Sequence, residues 1–122
     1  WYLLVGDCSS LPAVLRRLEE LPDSARVQAI VQMDRQDQRS LPAAAQGRLQ
    51  WVPDVVTLLA AVQAWQPPAG EGFAWCAGEA AEMRELRRVL VDEKGVDRHA
   101  VRAAAYWKRG ASGHHERLGD AG

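Results

Sequence analysis

Apolar residues along the chain alternate between two patterns. Short unbroken apolar runs are each followed by a longer stretch with apolar residues at helical spacing. Tyr2 to Val5 is the first run and reads as a strand buried on both faces. Leu11, Val14, Leu15 and Leu18 then match the i, i+3, i+4, i+7 template of a one-faced helix. Ser9 or Ser10 stands where a cap belongs, Pro12 falls in the first turn, and Leu21-Pro22 ends the helix. Arg26 to Met33 reads as a second strand. Asp34 to Gln46 is polar, with Pro42 and an alanine run, and fits either a loop or one short irregular helix. Arg48 to Val52 is a third strand, after which Asp54 can cap a helix with the stripe Val55, Leu58, Leu59 and Val62. Gln66-Pro67-Pro68-Ala69-Gly70 breaks that helix. Gly72 to Ala77 is a fourth strand, followed by a tight Ala-Gly-Glu turn. Glu79 to Lys94 is the longest helix, stopped by Gly95, with Met83, Leu86, Val89 and Leu90 facing inward. Val101 to Trp107 is the fifth strand. Residues 111–122, rich in glycine, histidine and charge, are expected to form a poorly ordered tail.

Alternation of this kind specifies an α/β fold: a three-layer, open, parallel five-stranded sheet with helices on both faces and right-handed crossovers. Ligands bind such sheets at the carboxyl ends of the strands. Chemistry is therefore sought in Asp7 to Ser10, Asp34-Arg35, Pro53-Asp54, Cys76 to Glu79, and Trp107 to Arg109.

Composition narrows the function classes. A chain of 122 residues, 48% apolar and 25% charged, is expected to form one compact domain. A net charge of −1 provides no basic field for nucleic acid or an anionic membrane, so neither is expected as a partner. No apolar run reaches the roughly 20 residues that span a bilayer. The two cysteines, Cys8 and Cys76, have no metal-ligand spacing and fit reduced thiols in a cytoplasmic protein. The chain opens directly on strand-like sequence, as expected of a fragment of a longer protein.

The turns offer several chemistries. The first has a single glycine and matches neither the Gly-x-Gly-x-x-Gly nor the Walker phosphate loop, although Ser9, Ser10 and the amides of a helix start can hold a phosphate. Cys8 fits a small thiol better than a catalytic one, because an arginine is missing where a phosphatase loop needs it. Cys76 fits either packing against a planar ring or ordinary strand-end packing. Glu79 is either a helix-start acid or a site residue. Lys108 and Arg109 can grip phosphate or carboxylate. Tyr106 and Trp107, adjacent in a strand, place one ring on each face. His114 and His115 read as part of the tail.

Three segments together, Gly6-Asp7-Cys8-Ser9-Ser10-Leu11-Pro12-Ala13, Trp75-Cys76-Ala77-Gly78-Glu79-Ala80 and Tyr106-Trp107-Lys108-Arg109-Gly110, resemble the C-terminal domain of siderophore-interacting proteins. These are flavin-dependent ferric-siderophore reductases related to ferredoxin reductases. The resemblance covers residues 1–110. It implies a ferredoxin-reductase-like, Rossmann-like domain that binds NADPH or NADH. It also implies a preceding barrel, missing from this chain, that binds FAD. Electrons would pass from the nicotinamide to FAD and then to Fe(III) in a siderophore, and the isolated domain would reduce nothing. Carried over by position, Asp7, Ser9 and Ser10 would lie near the diphosphate. Cys76, Ala77, Gly78 and Glu79 would lie beside the nicotinamide, and Tyr106 and Trp107 at the flavin-facing edge. Lys108 and Arg109 would meet the siderophore. In this comparison Asp54 stands where a basic residue for NADPH is often found.

Two other classes fit the alternation. A signalling receiver would use Asp7, a phospho-acceptor at Asp54 and Lys108. A degenerate nucleotide-fold module would serve only for protein contact.

Overall fold

In a computed structural model the chain is described over residues 1–110 and at the strand Glu116–Leu118. Strands β1 (Tyr2–Gly6), β2 (Val27–Gln32), β3 (Leu49–Val52), β4 (Phe73–Glu79) and β5 (Val101–Trp107) pair in parallel. A sixth strand, β6 (Glu116–Leu118), runs antiparallel to β5. The order across the sheet is β3-β2-β1-β4-β5-β6. The chain therefore winds outward from β1 through β2 to β3, then returns to place β4 on the other side of β1. That reversal puts the switch point of the sheet between β1 and β4.

This order also separates the fold from a receiver. Receivers follow the order 2-1-3-4-5, with the third strand beside the first. Here β3 is an edge strand and β1 lies between β2 and β4. Asp54 follows that edge, and its carboxylate accepts from the Thr57 amide at 2.8 Å as the cap of helix α2 (Val55–Ala64). It is a helix cap and not a phospho-acceptor beside Asp7.

The two apolar layers follow from strand periodicity. Leu4, Ala29, Val31, Trp75 and Ala77 point to one face and are covered by Leu11, Val14 and Leu18 of helix α1 (Leu11–Glu20). Leu3, Val5, Ile30, Ala74, Cys76 and Ala103 point to the other. They are covered by Leu58 and Val62 of α2 and by Met83 and Leu86 of helix α3 (Ala80–Arg88). Each fully buried leucine contributes about 2 kcal/mol or more by its removal from water.

Three elements differ from the sequence expectation. The Ala77-Gly78-Glu79 segment is not a turn: β4 continues through it to Glu79. Pairing with β5 lets the extended backbone keep its hydrogen bonds past the small residues. The final helix is α-helical only to Arg88 and finishes in a π turn, Val89–Glu93, before Gly95 at φ +71°. The stretch 34–46 forms two separate 3₁₀ turns, Arg35–Asp37 and Ala43–Ala45. Of the residues expected to form a tail, Glu116–Leu118 pairs with β5, and residues 111–115 and 119–122, including His114 and His115, lie outside the described residues.

Candidate functional site

Three segments distant in sequence meet at the carboxyl edge of the sheet, tied together by hydrogen bonds. The Ser10 hydroxyl, fully buried, donates to the Ala77 carbonyl at 2.7 Å and accepts from the Asp7 amide at 3.1 Å. Gly6 makes room for it, since a Cβ there would stand 2.1 Å from Ser10 Oγ. Ser10 occupies the cap position of α1 but makes no side-chain cap bond. It joins the first turn to the end of β4, so the hydroxyl is enclosed by the protein and engaged there.

Asp7 is the centre of the site. The residue is only 6% exposed. Oδ1 accepts from the Ser9 amide at 3.0 Å and from the Ser9 hydroxyl, and Oδ2 accepts from the Trp107 indole N–H at 2.9 Å. A Cβ on Gly78 would stand 2.8 Å from that same Oδ2, so glycine is what allows the carboxylate to lie over the end of β4.

Glu79, also buried, closes the third side. Oε1 accepts from the Glu82 amide at 3.0 Å as the cap of α3, and Oε2 accepts from the Arg109 amide at 3.2 Å. Burial alone would raise its pKa. The Glu82, Arg109 and Ala81 amides, helped by the Arg109 charge, outweigh burial and hold the carboxyl below its usual range. Glu82 shows the reverse balance. Burial, then the charges of Glu79 and Asp7, push its pKa up against the opposing Arg109 charge. The Arg109 guanidinium lies 4.0 Å from Glu82 Oε1 and 5.5 Å from the Trp107 ring centroid.

Asp7, Cys8, Met33, Asp34, Asp37 and Glu82, with Trp107 and Arg109, line a cleft of about 220 Å³ at this edge. A larger hollow of about 500 Å³ lies at the opposite, amino edge, between Trp1, Pro67, Gly72 and His99. The smaller cleft is the candidate site, because buried ionised groups and the switch point coincide there.

The other assigned residues separate. Ser9, Gly78, Glu79, Trp107 and Arg109 lie at the rim with Asp7, whereas the Ala77 side chain packs in the layer beneath α1 and only its carbonyl reaches Ser10. Cys76 is not at the rim either: its side chain points into the layer beneath α3, where burial pushes the thiol up to about 12. Alternation along β4 puts Cys76 on the face of Ala74, under α3. Tyr106 packs on the α1 face, edge-on to Trp75 with centroids 6.3 Å apart, so its ring turns away from the cleft. Lys108 is exposed and does not line the cleft. Glu82 and Asp37 were not singled out from sequence as site residues. The spacing of Glu82 three residues after a helix-capping acid is the one signal that points to it. Among the described residues no group of His, Cys, Asp and Glu is arranged to hold a metal.

Fold and rim together define an open, doubly wound α/β sheet with a preorganised polar cleft beside its switch point. The chain belongs to the siderophore-interacting protein family, whose model matches residues 1–110. It is similar to the ferric vibriobactin reductase ViuB of Vibrio cholerae, with 28% identity over 118 residues covering 90% of this chain and 44% of the relative. A siderophore utilization protein from T. fusca superposes with a TM-score of 0.79 at 31% identity, covering 93% of this chain and 46% of that one. The siderophore-interacting protein SipS of Aeromonas hydrophila superposes at 0.75 with 26% identity, covering 91% and 47%. The chain thus spans somewhat under half the length of these relatives. No helix among the described residues is long and apolar enough to cross a membrane.

Proposed function

We propose that this chain is the nicotinamide-dinucleotide-binding part of a cytoplasmic, FAD-dependent ferric-siderophore reductase. A second, FAD-binding barrel would complete it. The reading rests on the convergence of the first turn, the end of β4 and the end of β5 around the Asp7 carboxylate.

The residues present fit such a ligand. Gly78 lets the Asp7 carboxylate lie over the end of β4, and the cleft runs from Asp7 past Cys8 toward the end of β2. Trp107, 36% exposed and fixed by Asp7, offers a face for stacking. Asp7, Glu79 and Glu82 would stabilise the positive charge that a nicotinamide acquires on giving up hydride. When bound by the partner domain, FAD would take electrons in pairs and pass them singly to Fe(III) held in a siderophore. Arg109 and Lys108, at the exposed end of β5, would face the anionic siderophore or the partner domain.

Saturation-transfer NMR of this chain with NADH and NADPH tests the reading. Transfer to the nicotinamide protons that weakens in Trp107→Ala supports it. Absence of transfer at millimolar nucleotide from either cofactor rejects it, and leaves a nucleotide-type fold used for protein contact. The isolated chain should not reduce a ferric siderophore, as followed by trapping Fe(II) with a coloured chelator.

A further inference from the structure

We propose that the cleft selects NADH over NADPH, with Asp34 and Asp37 as the specificity-determining residues. This rests on dinucleotide binding at the carboxyl edge.

In a doubly wound sheet the diphosphate crosses the first turn and the adenosine ribose lies at the carboxyl end of the second strand. An acid there accepts from the 2′-hydroxyl of NADH, whereas an arginine accommodates the 2′-phosphate of NADPH. In this chain β2 ends at Gln32, and the residues that follow, Met33, Asp34 and Asp37, form the wall of the cleft opposite Asp7 and Cys8. Among the described residues, the Asp34 and Asp37 carboxylates have no side-chain hydrogen bond or ion pair, so both can accept from a ligand.

The basic residue that interrupts this acidic pair is directed elsewhere. Arg35 does not line the cleft, and its charge acts on Asp54, the α2 cap. The cation that does line the cleft, Arg109, is at the β5 end beside Glu82 and Trp107. A 2′-phosphate would therefore meet two carboxylates without a neutralising partner. A 2′-hydroxyl would instead donate a charge-assisted hydrogen bond to one of them. Asp54 caps α2 and does not line the cleft, so it is not the discriminating acid.

The test is equilibrium titration of the chain with NADH and with NADPH, followed by quenching of tryptophan emission. Circular dichroism checks that each variant is folded. NADH should bind at least about tenfold more tightly than NADPH, the scale of a like-charge contact avoided. The double variant Asp34→Asn, Asp37→Asn should bring the ratio toward one by improving NADPH, while Asp54→Asn should leave the ratio unchanged. Equal affinities, a preference for NADPH, or an unchanged ratio in the double variant would overturn the proposal while leaving dinucleotide binding intact. Failure of both nucleotides to bind would remove the dinucleotide reading, and this preference with it.

Discussion

The Trp107 indole N–H donates to Asp7 Oδ2 at 2.9 Å, joining residues 100 apart in sequence. This bond fixes the last ring of β5 over the end of β1. Trp107→Phe keeps most of the ring and removes the donor. Hydrogen bonds to charged groups contribute about 1.5–3 kcal/mol, and Trp107 is partly exposed, so a loss of about 1.5 kcal/mol is expected. Thermal unfolding should show it as a lower Tm. A Tm equal to that of the parent would mean that the bond does not hold the strand end.

Ser10 is predicted to act through stability and not through ligand contact. Ser10→Ala leaves the Ala77 carbonyl and the Asp7 amide without their buried partner, at a cost of about 1–3 kcal/mol. Urea unfolding measures this. Nucleotide affinity per folded molecule should change far less than in variants of Trp107.

Glu79 and Glu82 should move stability in opposite directions with pH. The folded pKa of Glu79 is depressed, so its contribution is present above its unfolded value of 4.5 and is lost as pH falls through the folded pKa. Glu79→Gln should therefore be less stable at neutral pH and show a flatter loss of stability in acid. The folded pKa of Glu82 is raised, so wild-type stability declines as pH rises from 4.5 through that value. Glu82→Gln should remove the decline and gain stability at pH 7. Unfolding free energies from pH 3 to pH 8 for the three proteins decide the signs.

The two thiols should differ sharply in reactivity. Cys8 is exposed, whereas Cys76 is enclosed with its thiol pushed up to about 12. Only the thiolate attacks alkylating agents. Iodoacetamide at pH 8 should add one label to the native chain, at Cys8, and two after unfolding. Mass spectrometry of the native sample showing label at Cys76 would contradict its placement.

The layered architecture was legible because apolar runs and helical stripes alternate without ambiguity. Strand neighbours were not, because nothing local in Leu49–Val52 states whether it borders β1 or lies outside β2. The same gap allowed Asp54 to resemble a phospho-acceptor. At the site, the convergence of Asp7, Gly78 and Trp107 followed from strand ends sharing one edge. The enclosure of Ser10 is not legible in the sequence, since its partner, the Ala77 carbonyl, lies 67 residues away and carries no residue signature. The two readings of Cys76 stay open in the sequence, since periodicity shows that neighbours in a strand face opposite ways but not which layer each one enters.

The irregularity in β4–β5 pairing has a geometric outcome. Register passes from Gly78 opposite Ala105 to Glu79 opposite Trp107, leaving Tyr106 as the supernumerary residue. Without that skip the indole would project one step farther out, about 3.3 Å beyond its present height. Its nitrogen would then overshoot the carboxylate below.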